Sequence, residues 1–215
     1  MIKTGLFAPI RIELDDGRIV NLRGKIDRVD MAKIEDKSYF RVVDYKSSNK
    51  SLKLSDIKDG ISLQLMTYMA AMLENKEKVT NSNKAIPAAL SYFTLNTSAI
   101  YLTEYEKNED LIKKKIIQAL KLKGIYLKNV EILKHMDYNA ESTDKSYLDV
   151  NLSRMTNEEK YLTEEKFEEE CKEIKQTLKD ISQEIVKGTV RIKPSDTKNC
   201  DYCLYKSVCR RKNMV

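Results

Sequence analysis

The sequence predicts a single mixed α/β domain, a central β-sheet flanked by helices, with a cysteine-rich loop at its carboxy terminus. Three observations predict it: apolar and polar residues alternate over 10–46, the period becomes helical over 61–74, and a strand-like apolar run follows at 87–95. Strand, helix and returning strand make a crossover unit, so the sheet is expected to be mixed. The 215 residues suffice for one domain with a real core. No composition break divides them, so 1–215 read as one unit whose Cys-rich segment covers 194–215.

Strands are expected at about 10–14, 19–31 and 39–46, joined by turn signals at Asp15-Asp16-Gly17 and Glu35-Asp36-Lys37-Ser38 into a three-stranded antiparallel meander. The long middle strand is expected to bend near Gly24, where glycine permits a bulge. A polar Ser, Asn and Lys loop follows. Over 61–74, Leu65, Met69, Met72 and Leu73 recur as one helical stripe suited to packing on the sheet. A polar linker at 80–84 leads into the strand at 87–95. From Asn108 onward the chain reads as mainly helical, with helices at about 109–121, 129–136 and 163–187. Thr163 is a cap, Glu164 and Glu165 suit the positive end of the helix dipole, and Gly188 supplies the stop. The polar stretch 137–157 reads as an exposed, mobile loop.

The formal net charge of +6 is spread through runs such as Lys113-Lys114-Lys115 and Arg210-Arg211-Lys212. It suits a polyanionic partner, although such runs are more often solvated helix faces. Hydrophobic residues make up 41% and charged residues 33%, and no apolar run is long enough for a membrane span. The amino terminus lacks the pattern of a secretory signal, so a cytoplasmic protein with reduced thiols and no membrane partner is expected. The single histidine, His135, lies in an amphipathic helical segment and reads as structural.

Chemistry concentrates where Gly24-Lys25-Ile26-Asp27-Arg28-Val29-Asp30 and Val42-Val43-Asp44-Tyr45-Lys46-Ser47 end neighbouring strands. Residues two apart in a strand share a face, so Asp44 and Lys46 point the same way and Asp27 can lie beside them. Two close carboxylates repel unless a cation sits between them, and Mg²⁺, a hard ion preferring oxygen ligands, suits that place. The carbonyl of Tyr45 is a further candidate ligand. Such a metal activates water and draws charge from a phosphate, while the Lys46 ammonium orients the water or neutralises the transition state. An isolated Asp-x-Lys is usually a surface ion pair. Here the apolar approach Tyr39-Phe40-Arg41-Val42-Val43 marks a core strand, at whose end unpaired charge is costly and usually functional.

Gly24-x-Ile26-Asp27-Arg28-x-Asp30, then Asp44-Tyr45-Lys46-Ser47, then Gln64-Leu65-Met66-Thr67-Tyr68, in that order, resembles the signature of RecB-type nucleases in the PD-(D/E)xK superfamily. The resemblance implies a restriction-endonuclease-like core and a DNA exonuclease dependent on Mg²⁺ or Mn²⁺. It makes Asp27 and Asp44 metal ligands, Lys46 the catalytic lysine, and Gln64 with Tyr68 a supporting pair. The i, i+4 spacing of that pair puts both residues on one helix face. Arg28 and Asp30 alternate onto the opposite strand face from Asp27 and are expected to be structural.

Cys200-x-x-Cys203-x5-Cys209 gathers three thiols within ten residues after Pro194, a spacing that usually binds a soft metal, and zinc or an iron–sulfur cluster would both fit. The ending resembles that of AddB-type helicase–nuclease subunits, which implies a 4Fe-4S cluster completed by a cysteine far upstream. Cys171, the remaining cysteine, lies in a charged helical segment and reads as a spare thiol. RecB-type nucleases carry an earlier helix with a His or Glu near the metal, yet only 23 residues precede Gly24 and none is histidine. A fragment of a larger subunit is therefore expected. The resemblance implies single-stranded DNA or unwound duplex ends as substrate and an AddA-type helicase–nuclease subunit as partner, in double-strand break repair by recombination. The competing readings are a nuclease of CRISPR adaptation and a nucleic-acid-binding module that has lost catalysis.

Overall fold

A computed structural model describes residues 9–80, 84–95, 108–192, 194, 200–201 and 203–209. The run Arg210-Arg211-Lys212 and the middle of the expected 80–84 linker lie outside the described residues. In chain order the elements are β1 (Ile10–Glu13), β2 (Ile19–Leu22), β3 (Arg28–Ile34), β4 (Lys37–Lys46), α1 (Leu54–Lys58), α2 (Leu63–Glu74), α3 (Lys76–Thr80), β5 (Ala85–Thr94), α4 (Glu109–Ala119), β6 (Lys123–Leu127), α5 (Val130–Met136), β7 (Tyr161–Leu162), α6 (Glu164–Val186) and α7 (Lys206–Cys209). A 3-10 turn at Leu152–Arg154 precedes β7.

The amino-terminal alternation folds as two hairpins, not as one meander. β1 and β2 form a separate two-stranded sheet, closed by a turn in which Gly17 takes φ 80°. β3 and β4 pair antiparallel from Arg28↔Val43 to Ile34↔Lys37. The expected strand over 19–31 is thus interrupted at residues 23–27, because its two halves pair with different partners. β1 packs against α6, where Lys179 and Asp15 form an ion pair at 2.7 Å.

The main sheet runs β3-β4-β5-β6-β7, with β4–β5 and β6–β7 parallel and the other two pairs antiparallel. It is a mixed sheet, and α2 lies in the crossover between its parallel strands β4 and β5, as the sequence predicts. Pro87 sits inside β5 opposite Phe40, where the register shifts before Arg41↔Ala89. A strand tolerates a residue without an N–H at such an irregularity. β5 and β6 approach so closely that a Cβ on Gly124 would stand 1.8 Å from the Leu90 carbonyl oxygen.

Both faces of the sheet are covered. On one, Val42, Leu90 and Ile125 are buried with Met66 and Met69 of α2 and with Phe167 and Ile174 of α6. On the other, Val43, Ala89 and Tyr126 are buried with Leu133 of α5 and with Leu148, Val150 and Tyr161. That second layer overturns the expectation of an exposed loop at 137–157. Asp137 organises it, accepting from Ser146 Oγ at 2.8 Å and the Tyr147 amide at 2.7 Å, and Leu148 is buried. Strands β6 and β7 lie in the half expected to be mainly helical, where no strand was expected. The polar loop after Lys46 also holds more than expected, since α1 buries Leu54 and Ile57.

The three expected helices do form. In α6 the Thr163 hydroxyl accepts from the Lys166 amide at 3.2 Å, and Gly188, at φ 68°, follows the end. No helix among the described residues is long and apolar enough to cross a membrane.

Candidate active site

β4 delivers Asp44, Tyr45 and Lys46 to one end of the sheet. Asp44 and Lys46 share the face covered by α2, and Asp44 is 3% exposed. The ladder with β3 begins at Arg28, so Asp27 stands in the bend just before that strand instead of within it. It reaches β4 by another route: Asp27 Oδ2 accepts from the Tyr45 amide at 3.1 Å. The β3–β4 ladder ends at Arg28↔Val43, so the Tyr45 amide, two residues further on, has no partner in β3, and the carboxylate supplies one.

The Lys46 ammonium is held from three sides. Its Nζ lies 2.6 Å from Asp44 Oδ2, donates to Gln64 Oε1 at 2.8 Å, and stands 5.3 Å from the centroid of the Tyr92 ring. Gln64 Nε2 in turn donates to the Tyr68 hydroxyl at 3.2 Å. The i, i+4 pair on α2 therefore ends on the lysine. Burial works to lower the Lys46 pKa, but the contact with Asp44 and the charges of Asp44 and Asp27 prevail and hold it above its ordinary value. Lys46 is thus a fixed cation and a hydrogen-bond donor.

Gly24 belongs to the same relay. It makes no bulge; a Cβ there would come within 2.9 Å of a Tyr68 ring carbon, so glycine leaves the space the ring occupies. Tyr92 lies in no recognisable motif. Parallel pairing sets it opposite Asp44, and burial, with Asp44 and Asp56 nearby, raises its phenol pKa against the opposing charge of Lys46. Only strand register reveals it.

Arg28 and Asp30 take the opposite face, as expected. Asp30 bridges Arg28 Nε at 2.7 Å and Arg41 Nε at 2.6 Å. Burial would raise its pKa, but the two guanidinium groups bring it below the ordinary value.

Among the described residues no three His, Cys, Asp or Glu side chains gather into a metal-binding group. The carboxylate site nonetheless fits a hard cation. Asp44 Oδ2 is buried and contacts the Lys46 ammonium as an ion pair, without a directed hydrogen bond. Asp27 commits Oδ2 to the Tyr45 amide, which leaves Oδ1 available. Such oxygens are what Mg²⁺ takes up. The thiols fit an iron–sulfur cluster less well. Cys200 and Cys203 lie on one turn, Cys209 ends α7, and Cys171 is sealed in the core 3.8 Å from Met66 Sδ, its pKa pushed up to about 12 by burial.

Residues 2–210 match the PD-(D/E)XK nuclease superfamily. The chain belongs to that superfamily. Its fold is the PD-(D/E)XK nuclease fold. Similar curated proteins are AddB-type subunits of ATP-dependent helicase/deoxyribonucleases. That of Ruminiclostridium cellulolyticum is 37% identical over 96% of this chain, and its namesake in Clostridium novyi is 36% identical over 94%. The same-named protein of Clostridium acetobutylicum is 34% identical over 98%. The chain spans 18% of the length of each of these relatives.

Proposed function

We propose that this PD-(D/E)XK chain is the nuclease part of a helicase–nuclease subunit and hydrolyses phosphodiester bonds of single-stranded or unwound DNA during recombinational break repair in the cytoplasm. The observation that carries the reading is the Lys46 ammonium, fixed at once by Asp44 and Gln64 beside a buried Asp44 oxygen that lacks a directed donor. The relatives' name supports the helicase setting, and an AddA-type subunit is the partner that setting suggests.

Asp27 and Asp44, with the Tyr45 carbonyl, would hold Mg²⁺ or Mn²⁺. The chemistry such a cation supplies when bound is Lewis acidity, which eases ionisation of the attacking water and draws charge from the phosphate. Lys46 donates a hydrogen bond to that water or to a phosphate oxygen, and its charge opposes the negative charge that builds up on the phosphorus oxygens. Gln64 and Tyr68 keep the ammonium from swinging away. Cys200, Cys203 and Cys209 would be the thiol ligands this chain offers to a 4Fe-4S cluster. Cys171 does not complete the set, so a fourth ligand would come from elsewhere in a longer protein.

Incubating the chain with end-labelled single-stranded DNA and Mg²⁺ tests the reading. Cleavage that disappears in Asp44→Ala, with the melting curve little changed, is the expected result. Full activity in that variant would remove Asp44 from the centre, whereas binding without cleavage by both proteins would favour a module that has lost catalysis.

A further inference from the structure

Next to Asp44 and Lys46 runs a row of side chains that the chemistry above leaves partly unused. Asp44 stands opposite Tyr92 in the parallel register of β4 and β5, and Tyr92 stands opposite Lys123 in the antiparallel register of β5 and β6. Directly opposed residues share a face of a pleated sheet, so Asp44, Tyr92 and Lys123 form a line across three strands on the face that carries Lys46. The line spans two strand spacings, about 10 Å.

Lys123 is held in place. Its Nζ donates to Asn49 Oδ1 at 2.8 Å, and Asn49 belongs to the exposed segment 47–51 that directly follows Lys46. A neutral amide fixes the ammonium without cancelling its charge. Lys46, Lys58 and Lys160 are paired with Asp44, Glu170 and Asp149, whereas no carboxylate among the described residues forms an ion pair with Lys123. A positioned, unneutralised cation at the border of a phosphodiester-cutting site is complementary to an anion supplied by the substrate.

We propose that Lys123, positioned by Asn49, contacts a phosphate of the substrate strand adjacent to the one cut at Asp44 and Lys46. The inference rests on the nuclease reading of that site and adds a residue to it. A lysine contact of this kind acts as a point charge: it fixes the strand's path and carries no base preference.

The test compares wild type, Lys123→Gln and Lys123→Arg. Binding of a fluorescent oligothymidylate is measured over a salt series in EDTA, and cleavage is measured separately with Mg²⁺. Glutamine removes the charge yet can still pair with Asn49. In Lys123→Gln, binding should weaken severalfold and the dependence of log Kd on log salt should flatten by about 0.7, the share of one phosphate on a single strand. Lys123→Arg should restore both. An unchanged slope in Lys123→Gln, while the wild type cuts DNA, overturns the contact and leaves the nuclease reading standing. A flattened slope in a protein that does not cut overturns the nuclease reading and leaves the contact standing. A wild type that neither binds nor cuts overturns both.

Discussion

Lys46 illustrates how a single residue's surroundings decide its role. Its pKa is raised from 10.5, so the side chain is an ammonium across the physiological range and has no proton vacancy with which to act as a base. A rate profile that shows no loss of this proton across the physiological range is therefore expected. A fall centred near pH 8 that vanishes in Lys46→Arg would instead mean that the Lys46 pKa is lowered in the working enzyme. Gly24 offers a second check. In Gly24→Ala the new methyl displaces a side-chain ring and no backbone atom, so the fold should survive while the link from Tyr68 through Gln64 to Lys46 loosens. A loss in kcat of about ten- to a hundredfold, with DNA binding unchanged, is expected. Because the effect passes through Tyr68, Gly24→Ala combined with Tyr68→Ala should be no slower than Tyr68→Ala alone. Strictly additive losses would assign Gly24 a separate role. Asp27, Asp44, Lys46, Gln64 and Tyr68 were legible in the sequence because each sits in a short local pattern. Tyr92 and Lys123 were not, since only the pairing of β4 with β5 and of β5 with β6 brings them to the same end of the sheet.

Among the elements, those with a sustained period or with turn signals at their ends were readable, and the short strands of the second half were not. Helix α6, with 23 residues, a threonine cap and a terminal glycine, declares itself. Strand β6 has five residues and β7 has two, too few for alternation to register, and each exists because a neighbour supplies its hydrogen bonds. The region 137–157 misled for a related reason: its few apolar residues are spaced irregularly, and it is hydrogen-bonded around Asp137 instead of by a repeating ladder. Gly124 is the element-scale counterpart of Gly24. Here the added Cβ would meet backbone, the Leu90 carbonyl, so strands β5 and β6 themselves would have to part. Gly124→Ala should destabilise the fold by about 3 kcal/mol or more, read as a lower midpoint in urea. A midpoint within error of wild type would mean that the two strands can separate locally at little cost.

Across the whole molecule, the face of the sheet that holds the site is shared with its main core, and the helix that positions Lys46 buries Met66 against Cys171 of α6. The placement of Asp44, Lys46, Gln64 and Tyr68 is thus inherited from the packing of the core. The exception is Asp27. It belongs to neither sheet and lies on the five-residue bridge, 23–27, between a hairpin docked on α6 and the edge strand β3. Its tie to β4 is one backbone amide, that of Tyr45. Local opening of the bridge would release one acidic group and leave Asp44, Lys46, Gln64 and Tyr68 assembled. Amide proton exchange at Tyr45 should accordingly run ahead of exchange at Val42 and Val43, and slow when a divalent ion is added. A Tyr45 amide as protected as its strand neighbours would mean that the acidic bridge moves only with the sheet.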